Sequence, residues 1–323
     1  MKLEDVAEAL AEQLPGAVTR HAPIADFTTY RVGGPAAVLV RVDSEDTLRA
    51  VASVLRCGEP SVLVVGRGSN LLVSERGYPG VALVLGSAFD TLDIDADAAR
   101  VRAGGAVALP VLARRSAAAG VGALEFFVGI PGSVGGAVKM NAGGHGCETS
   151  DVLERAWLFD VLAGPDAQID ERAAADLALT YRHSGLAPSH VVVRAEFSGA
   201  PDDPAACDAR IAEIVRWRRE HQPGGSNAGS VFQNPPGDSA GRLIDAAGLK
   251  GLRVGGAVVS EKHANFFQAE PGATADDVAR LVHTVRERVA AGTGVELVPE
   301  LRMVGFEDLD GGSPPSRDQE DDR

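Results

Sequence analysis

Apolar residues recur at helical spacing near the start of the chain, where Leu3, Val6, Leu10 and Leu14 predict a short amphipathic helix. A mixed segment follows. Ser44 then stands as a cap before Leu48, Val51, Val54 and Leu55, which predicts a second helix. Two continuous apolar runs, 61–65 and 81–85, read as buried strands on either side of a sharp loop at 66–70. Strand, helix, strand, loop, strand makes a small α+β unit. Alternation over 90–103 predicts a hairpin, and 110–119 a short helix. Further strands are expected at 155–160 and 191–197, and a helix at 207–221 carrying Ile211, Ile214, Val215 and Trp217. From Thr274 an apolar stripe of Val278, Leu281, Val282, Val285 and Val289 predicts a long helix that Gly292 ends, with Thr274 and Asp277 as a capping box. A last strand is expected over 295–304. Its alternation would put Val298, Glu300, Arg302 and Val304 on one face and Leu297, Leu301 and Met303 on the other. Boundaries are expected near 86–90 and near 205, with an acidic, disordered tail over 307–323.

One stretch fits neither period. Between 120 and 146 glycines are interleaved with Phe126, Phe127, Val128, Ile130 and Val134. A flexible linker would not carry these apolar residues, so the stretch reads as a buried loop wrapped around a ligand.

Composition narrows the function. The chain has 323 residues, 45% hydrophobic and 24% charged, enough for two or three domains with sizeable cores. A net charge of −14 argues against a nucleic-acid partner, although backbone N–H groups can still hold a phosphate locally. The cysteines Cys57, Cys147 and Cys207 form no metal-binding spacing and suit a reducing compartment. The acidic N-terminus is unlike a signal peptide, and no apolar run is long enough to span a membrane, so a cytoplasmic location is expected.

Five segments carry candidate chemistry. Gly66-Arg67-Gly68-Ser69-Asn70 follows a strand and can act as a backbone nest for a pyrophosphate or as a plain turn; it is neither a P-loop nor a GxGxxG fingerprint. Gly129-Ile130-Pro131-Gly132-Ser133-Val134-Gly135-Gly136, continuing to Asn141-Ala142-Gly143, lets backbone approach a ligand where a Cβ would collide. Arg182 in Tyr181-Arg182-His183-Ser184 offers a fork for a carboxylate, or a solvated charge. Ser230 in Gly229-Ser230-Val231-Phe232 can be a cap, a turn residue or a proton donor, and lacks the G-x-S-x-G elbow of a hydrolase nucleophile. Glu300 is a carboxylate on a half-buried strand, reactive or simply ion-paired.

In this order, and with Phe27-Thr28-Thr29-Tyr30-Arg31-Val32-Gly33-Gly34, Ala240-Gly241-Arg242-Leu243-Ile244, Ser260-x-Lys262-His263-Ala264-Asn265-Phe266 and Pro299-Glu300-Leu301-Arg302, the chain resembles the UDP-N-acetylenolpyruvoylglucosamine reductases over about 26–305. The resemblance implies an α+β fold with two FAD-binding subdomains of the vanillyl-alcohol-oxidase type, 1–88 with the N-terminal helix and 89–204, followed by an α/β substrate domain at 205–306. It implies non-covalent FAD, NADPH as co-substrate and a step of peptidoglycan synthesis. It places Arg182, Ser230 and Glu300 on the catalytic positions, residues 66–70, 129–133, Gly135, Gly136 and 141–143 on flavin contacts, and Gln233 and Asn234 on substrate contacts. The short span from Arg182 to Ser230 resembles the subclass without a long substrate-clamping insertion. His221 stands where relatives often carry Lys, which implies a weaker phosphate contact. A flavin oxidase of the same superfamily, tethered through His145 or Cys147, and a flavin-binding scaffold without turnover are the alternatives.

Overall fold

The structure is a computed structural model, and it describes residues 1–58 and 60–306. Helix α1 (Leu3–Gln13) and helix α2 (Glu45–Leu55) cover one face of a four-stranded sheet. Its strands lie in the order 18–23, 35–42, 78–85, 62–65; the first pair is antiparallel and the others are parallel. Ser44 caps α2 as its sequence predicts, accepting from the Thr47 N–H at 3.1 Å. Leu48, Val51 and Leu55 on α2 are fully buried with Val40, Val81 and Leu83. The strands at 18–23 and 35–42 lie in the segment the sequence left unassigned. Its exposed Arg20, His21 and Arg41 hide the pattern.

A second sheet, wholly antiparallel, runs in the order 170–173, 153–160, 190–198, 100–104, 92–95. One face shares the first sheet's core through Phe159, Val161, Val191 and Val193. The other packs under α3 (Leu109–Ala118), α4 (Val134–Met140) and α5 (Pro204–His221). Because Cys207 and Ile211 of α5 sit in this core, the change of core expected near 205 falls after α5 instead. Helix α4 corrects the reading of 129–143 as loop throughout. Ser133 caps it by accepting from the Gly136 N–H, and Asn141 closes it in the left-handed conformation at φ 41°.

The third sheet, in the order 226–230, 266–269, 257–259, 253–254, is antiparallel and carries α6 (Ala240–Ala246) and α7 (Ala275–Thr293). The Thr274–Asp277 capping box forms. The helix does not stop at Gly292. It passes through Gly292 and Thr293 to Gly294, which takes φ 72° and donates its N–H to the Ala290 carbonyl at 2.9 Å. The strand expected over 295–304 is strand only at 302–304. Before that, Pro299 lacks an N–H, and the N–H groups of Glu300 and Leu301 both turn to the Val231 carbonyl, at 2.8 and 3.2 Å. The two faces nevertheless hold in burial: Leu297, Leu301 and Met303 pack into the third core, whereas Val298 and Arg302 are exposed and Glu300 is half-buried.

The third unit is tied back to the first. Residues 302–304 pair in parallel with 71–73, and Tyr30 and Leu72 enter the third core. The acidic tail expected at 307–323 lies outside the described residues.

Candidate active site

The first glycine loop is pressed between two other segments. A Cβ on Gly66 would sit 2.5 Å from Ser133 Oγ. One on Gly68, whose φ is 57°, would sit 2.0 Å from the Phe27 carbonyl oxygen. Only glycine allows this approach. The two glycine segments thus meet across a cleft, with the cap of α4 as the point of contact.

The cleft has two lobes. The larger is a cavity of about 500 Å³, lined by the 66–70 loop, by 129–133, by Ala142 and Gly143, and by Arg182, Ser230, Asn234 and Glu300. The second, about 210 Å³, adds Gly105, Gly135, Pro188 and His190. Gly66, Arg67, Ser133, Gly136, Lys139 and Arg302 line both. Small-molecule sites are clefts of roughly 300–1,000 Å³, and the larger lobe falls in that range, with the smaller lobe extending it. The side chains suit a diphosphate: Arg67, Lys139, Arg218 and Arg302 line the cleft of a chain whose net charge is −14. Val64, Leu109 and Ile130 add apolar wall for a flat ring. Backbone walls without Cβ atoms, cationic side chains and an apolar wall fit FAD.

Burial holds the Lys139 ammonium down to about 8, with Arg302 adding repulsion. Burial likewise lowers Arg218. At the far end Arg182 and Glu300 meet, Nε 3.1 Å from Oε1, with both side chains largely shielded from solvent. Burial raises the Glu300 carboxyl above its ordinary value, and the Arg182 charge pulls it back. Ser230 is held beside them, because the carbonyl of the next residue, Val231, accepts from the Glu300 N–H. The three residues expected to act together line one cleft, although 48 and 70 positions separate them along the chain (182 to 230, 230 to 300).

Two expected contacts fall elsewhere. Asn141 is 1% exposed and does not line the cleft; its side chain bonds Glu148, Thr180 and Ser150 beneath the wall. Gln233 does not line the cleft either, whereas Asn234 does, and its Oδ1 accepts from the Ala240 N–H. His221 is turned away: its ring stacks on Trp217 at 4.7 Å, and Arg218, one turn earlier, faces the cleft. Among the described residues no His or Cys lines the larger lobe, and His145 and Cys147 stand outside it. Sequence reasoning assigned no role to Lys139, Glu148, Arg218 or Arg302. A lone Lys inside an apolar glycine-rich stretch was the available signal for Lys139.

Comparison with known proteins agrees with this geometry. Residues 36–160 match the family model of an FAD binding domain, and 221–304 match that of the UDP-N-acetylenolpyruvoylglucosamine reductase C-terminal domain. The reductase of Acidiphilium cryptum is 44% identical over 92% of this chain and 94% of its own. That of Caulobacter sp. is 44% identical over 87% and 93%. The crystal structure of UDP-N-acetylenolpyruvylglucosamine reductase from Thermus caldophilus superposes with a TM-score of 0.76 at 38% identity, covering 89% of this chain and 98% of that one. With both halves matched and the likeness extending over nearly the whole length, the chain belongs to the UDP-N-acetylenolpyruvoylglucosamine reductase family.

Proposed function

We propose that this chain reduces the enolpyruvyl group of UDP-N-acetylenolpyruvoylglucosamine to give UDP-N-acetylmuramate, with FAD as bound cofactor and NADPH as co-substrate, in the cytoplasm as a step of peptidoglycan synthesis. The observation that carries this reading is the meeting of Arg182 and Glu300 beside Ser230 at one end of a two-lobed glycine-walled cleft. Among the described residues no helix is long and apolar enough to cross a membrane.

FAD, when bound, supplies the hydride transfer from NADPH to the enolpyruvyl methylene carbon. The side chains manage charge and the proton. As hydride adds to that carbon, negative charge develops on its neighbour and spreads into the substrate carboxylate. Arg182 is preorganised to receive that charge, since its guanidinium is already held by four protein groups. Ser230 delivers its hydroxyl proton to the carbon bearing the charge. A serine hydroxyl is a weak acid, so the donation needs the strongly basic centre that hydride addition creates. Glu300, whose burial favours the neutral carboxyl, orients the carboxylate end of the substrate.

The test is direct. Heating the purified protein should release a yellow chromophore, and NADPH consumption should depend on the enolpyruvyl nucleotide sugar. Colourless protein would remove the cofactor from the account, and NADPH oxidation by air at the same rate without the sugar would point to an oxidase.

A further inference from the structure

The Arg182 guanidinium is held from behind by a device built from residues 141–148. Gly143–Gly144 and Cys147–Glu148 pair antiparallel across His145 and Gly146, which take φ 55° and 83°. Two successive positive φ angles mark a two-residue hairpin turn of the type whose twist folds the strands back tightly. The turn brings Glu148 over Gly143. Glu148 Oε1 then lies 3.3 Å from Arg182 Nη1, and the Gly143 carbonyl accepts from Nη2 at 3.2 Å. The Asn141 carbonyl accepts from Nη1 at 3.5 Å. The other Glu148 oxygen is fixed in turn, accepting from Asn141 Nδ2 at 2.9 Å.

The same Asn141 amide donates to the Thr180 carbonyl at 3.1 Å, and its oxygen accepts from the Ser150 N–H at 2.9 Å. Thr180 opens the turn that presents Arg182: Thr180 and His183 exchange both backbone hydrogen bonds at 3.0 Å, and Arg182 sits at φ 57°. A left-handed arginine is strained backbone, and such strain persists only where surroundings over-determine it. The space is closed as well. A Cβ on Gly143 would meet the Cys147 carbonyl oxygen at 2.6 Å, Glu148 Cγ at 2.9 Å and Arg182 Nη1 at 3.1 Å.

We infer that Glu148, fixed by Asn141, is a positioning residue for the reaction: it anchors the Nη edge of Arg182 so that the guanidinium stays aimed at the charge developing on the substrate while Glu300 holds the Nε edge. This rests on the proposed role of Arg182. Glu148 touches no reacting atom. Its effect is on where Arg182 points, and a long side chain with five N–H groups has many other poses.

The experiment compares holoenzyme variants by rapid mixing, with the two half-reactions followed separately at the flavin absorbance. Glu148→Ala should leave flavin reduction by NADPH and FAD content unchanged, while lowering the melting temperature because Glu148 also caps the turn at 149–151 and partners Asn141. It should slow flavin reoxidation by the enolpyruvyl substrate on the order of 10- to 100-fold, the scale of a 1 Å misplacement near the chemistry. Glu148→Gln keeps one acceptor oxygen and the side-chain shape, so it should slow reoxidation less, and it carries the test if the alanine variant does not fold. Adding Glu148→Ala to Arg182→Lys should slow reoxidation no further. The Arg182 Nε–H resonance, assigned by its loss in Arg182→Lys, should exchange faster with water in Glu148→Ala. Unchanged reoxidation in both Glu148 variants, equal slowing of both half-reactions, or a multiplicative loss in the double variant would overturn the assignment of Glu148. Unchanged reoxidation in Arg182→Lys alone would instead overturn the reading of Arg182.

Discussion

The side-chain amide of Asn70 donates to the backbone carbonyl of Glu300 at 2.9 Å, across 230 positions of sequence. The Asn70 carbonyl accepts in return from the Arg302 N–H at 3.2 Å. The first glycine loop, which borders the cofactor space, therefore also holds the segment that carries the buried carboxylate. Asn70→Ala should cost about 1–2 kcal/mol, because a carbonyl that is partly shielded from water loses its partner. Chemical denaturation reads this directly. A midpoint equal to wild type would show that the bond contributes nothing to joining the two units.

Gly68→Ala should be more severe. The added Cβ would lie 2.0 Å from one backbone atom and 2.7 Å from another, at a φ of 57° that disfavours it independently. Neither neighbour is a flexible side-chain end, so the loop must shift. A loss of more than about 2 kcal/mol is expected, together with weaker FAD retention on gel filtration. A variant that holds FAD as wild type does would contradict the placement of this loop.

Glu300 gives the protein a pH signature. Burial raises its folded carboxyl above the ordinary 4.5, so the folded state binds this proton more tightly than the unfolded chain does. Its contribution to stability therefore falls as pH rises from the ordinary value through the folded one, and the Arg182 ion pair limits the size of the fall. In Glu300→Gln that decline is absent. Denaturation midpoints of wild type and variant, measured across this range, should show wild type losing ground as pH rises. A relative gain would contradict the assigned environment.

Lys139 works in the opposite sense. Its folded ammonium titrates at about 8 against 10.5 when free, so between these values the unfolded chain binds more protons and stability rises with pH. The destabilising effect is fully present below about 8. Lys139→Met should flatten the rise, as read from the difference in denaturation midpoints with wild type. An unaltered slope would place the ammonium in solvent.

Much of this was legible in the sequence where local signals agree. The cap at Ser44, the box at Thr274 and Asp277, and the apolar runs 61–65 and 81–85 each combine period with punctuation, and each forms as read. Helix α4 was hidden because Gly135 and Gly136 count as helix breakers. Its signals were the flanking Ser133 and Asn141, which cap the two ends. Asn141 reads as a ligand contact by its place in a glycine-rich stretch, yet its conformation and bonds serve the Arg182 support. The strand expected through Glu300 failed because Pro299 and the shared Val231 carbonyl set the backbone there, and neither is visible to a period-two count. The convergence of Arg182, Ser230 and Glu300 is a property of tertiary packing. In the sequence it rested on resemblance alone.

The most direct measurement follows both half-reactions of Ser230→Ala. If Arg182 and Glu300 hold the charge while Ser230 supplies the proton, NADPH should reduce the flavin in this variant as in wild type, and the enolpyruvyl substrate should then fail to reoxidise it. Reoxidation at the wild-type rate, or equal loss of both steps, would contradict the account.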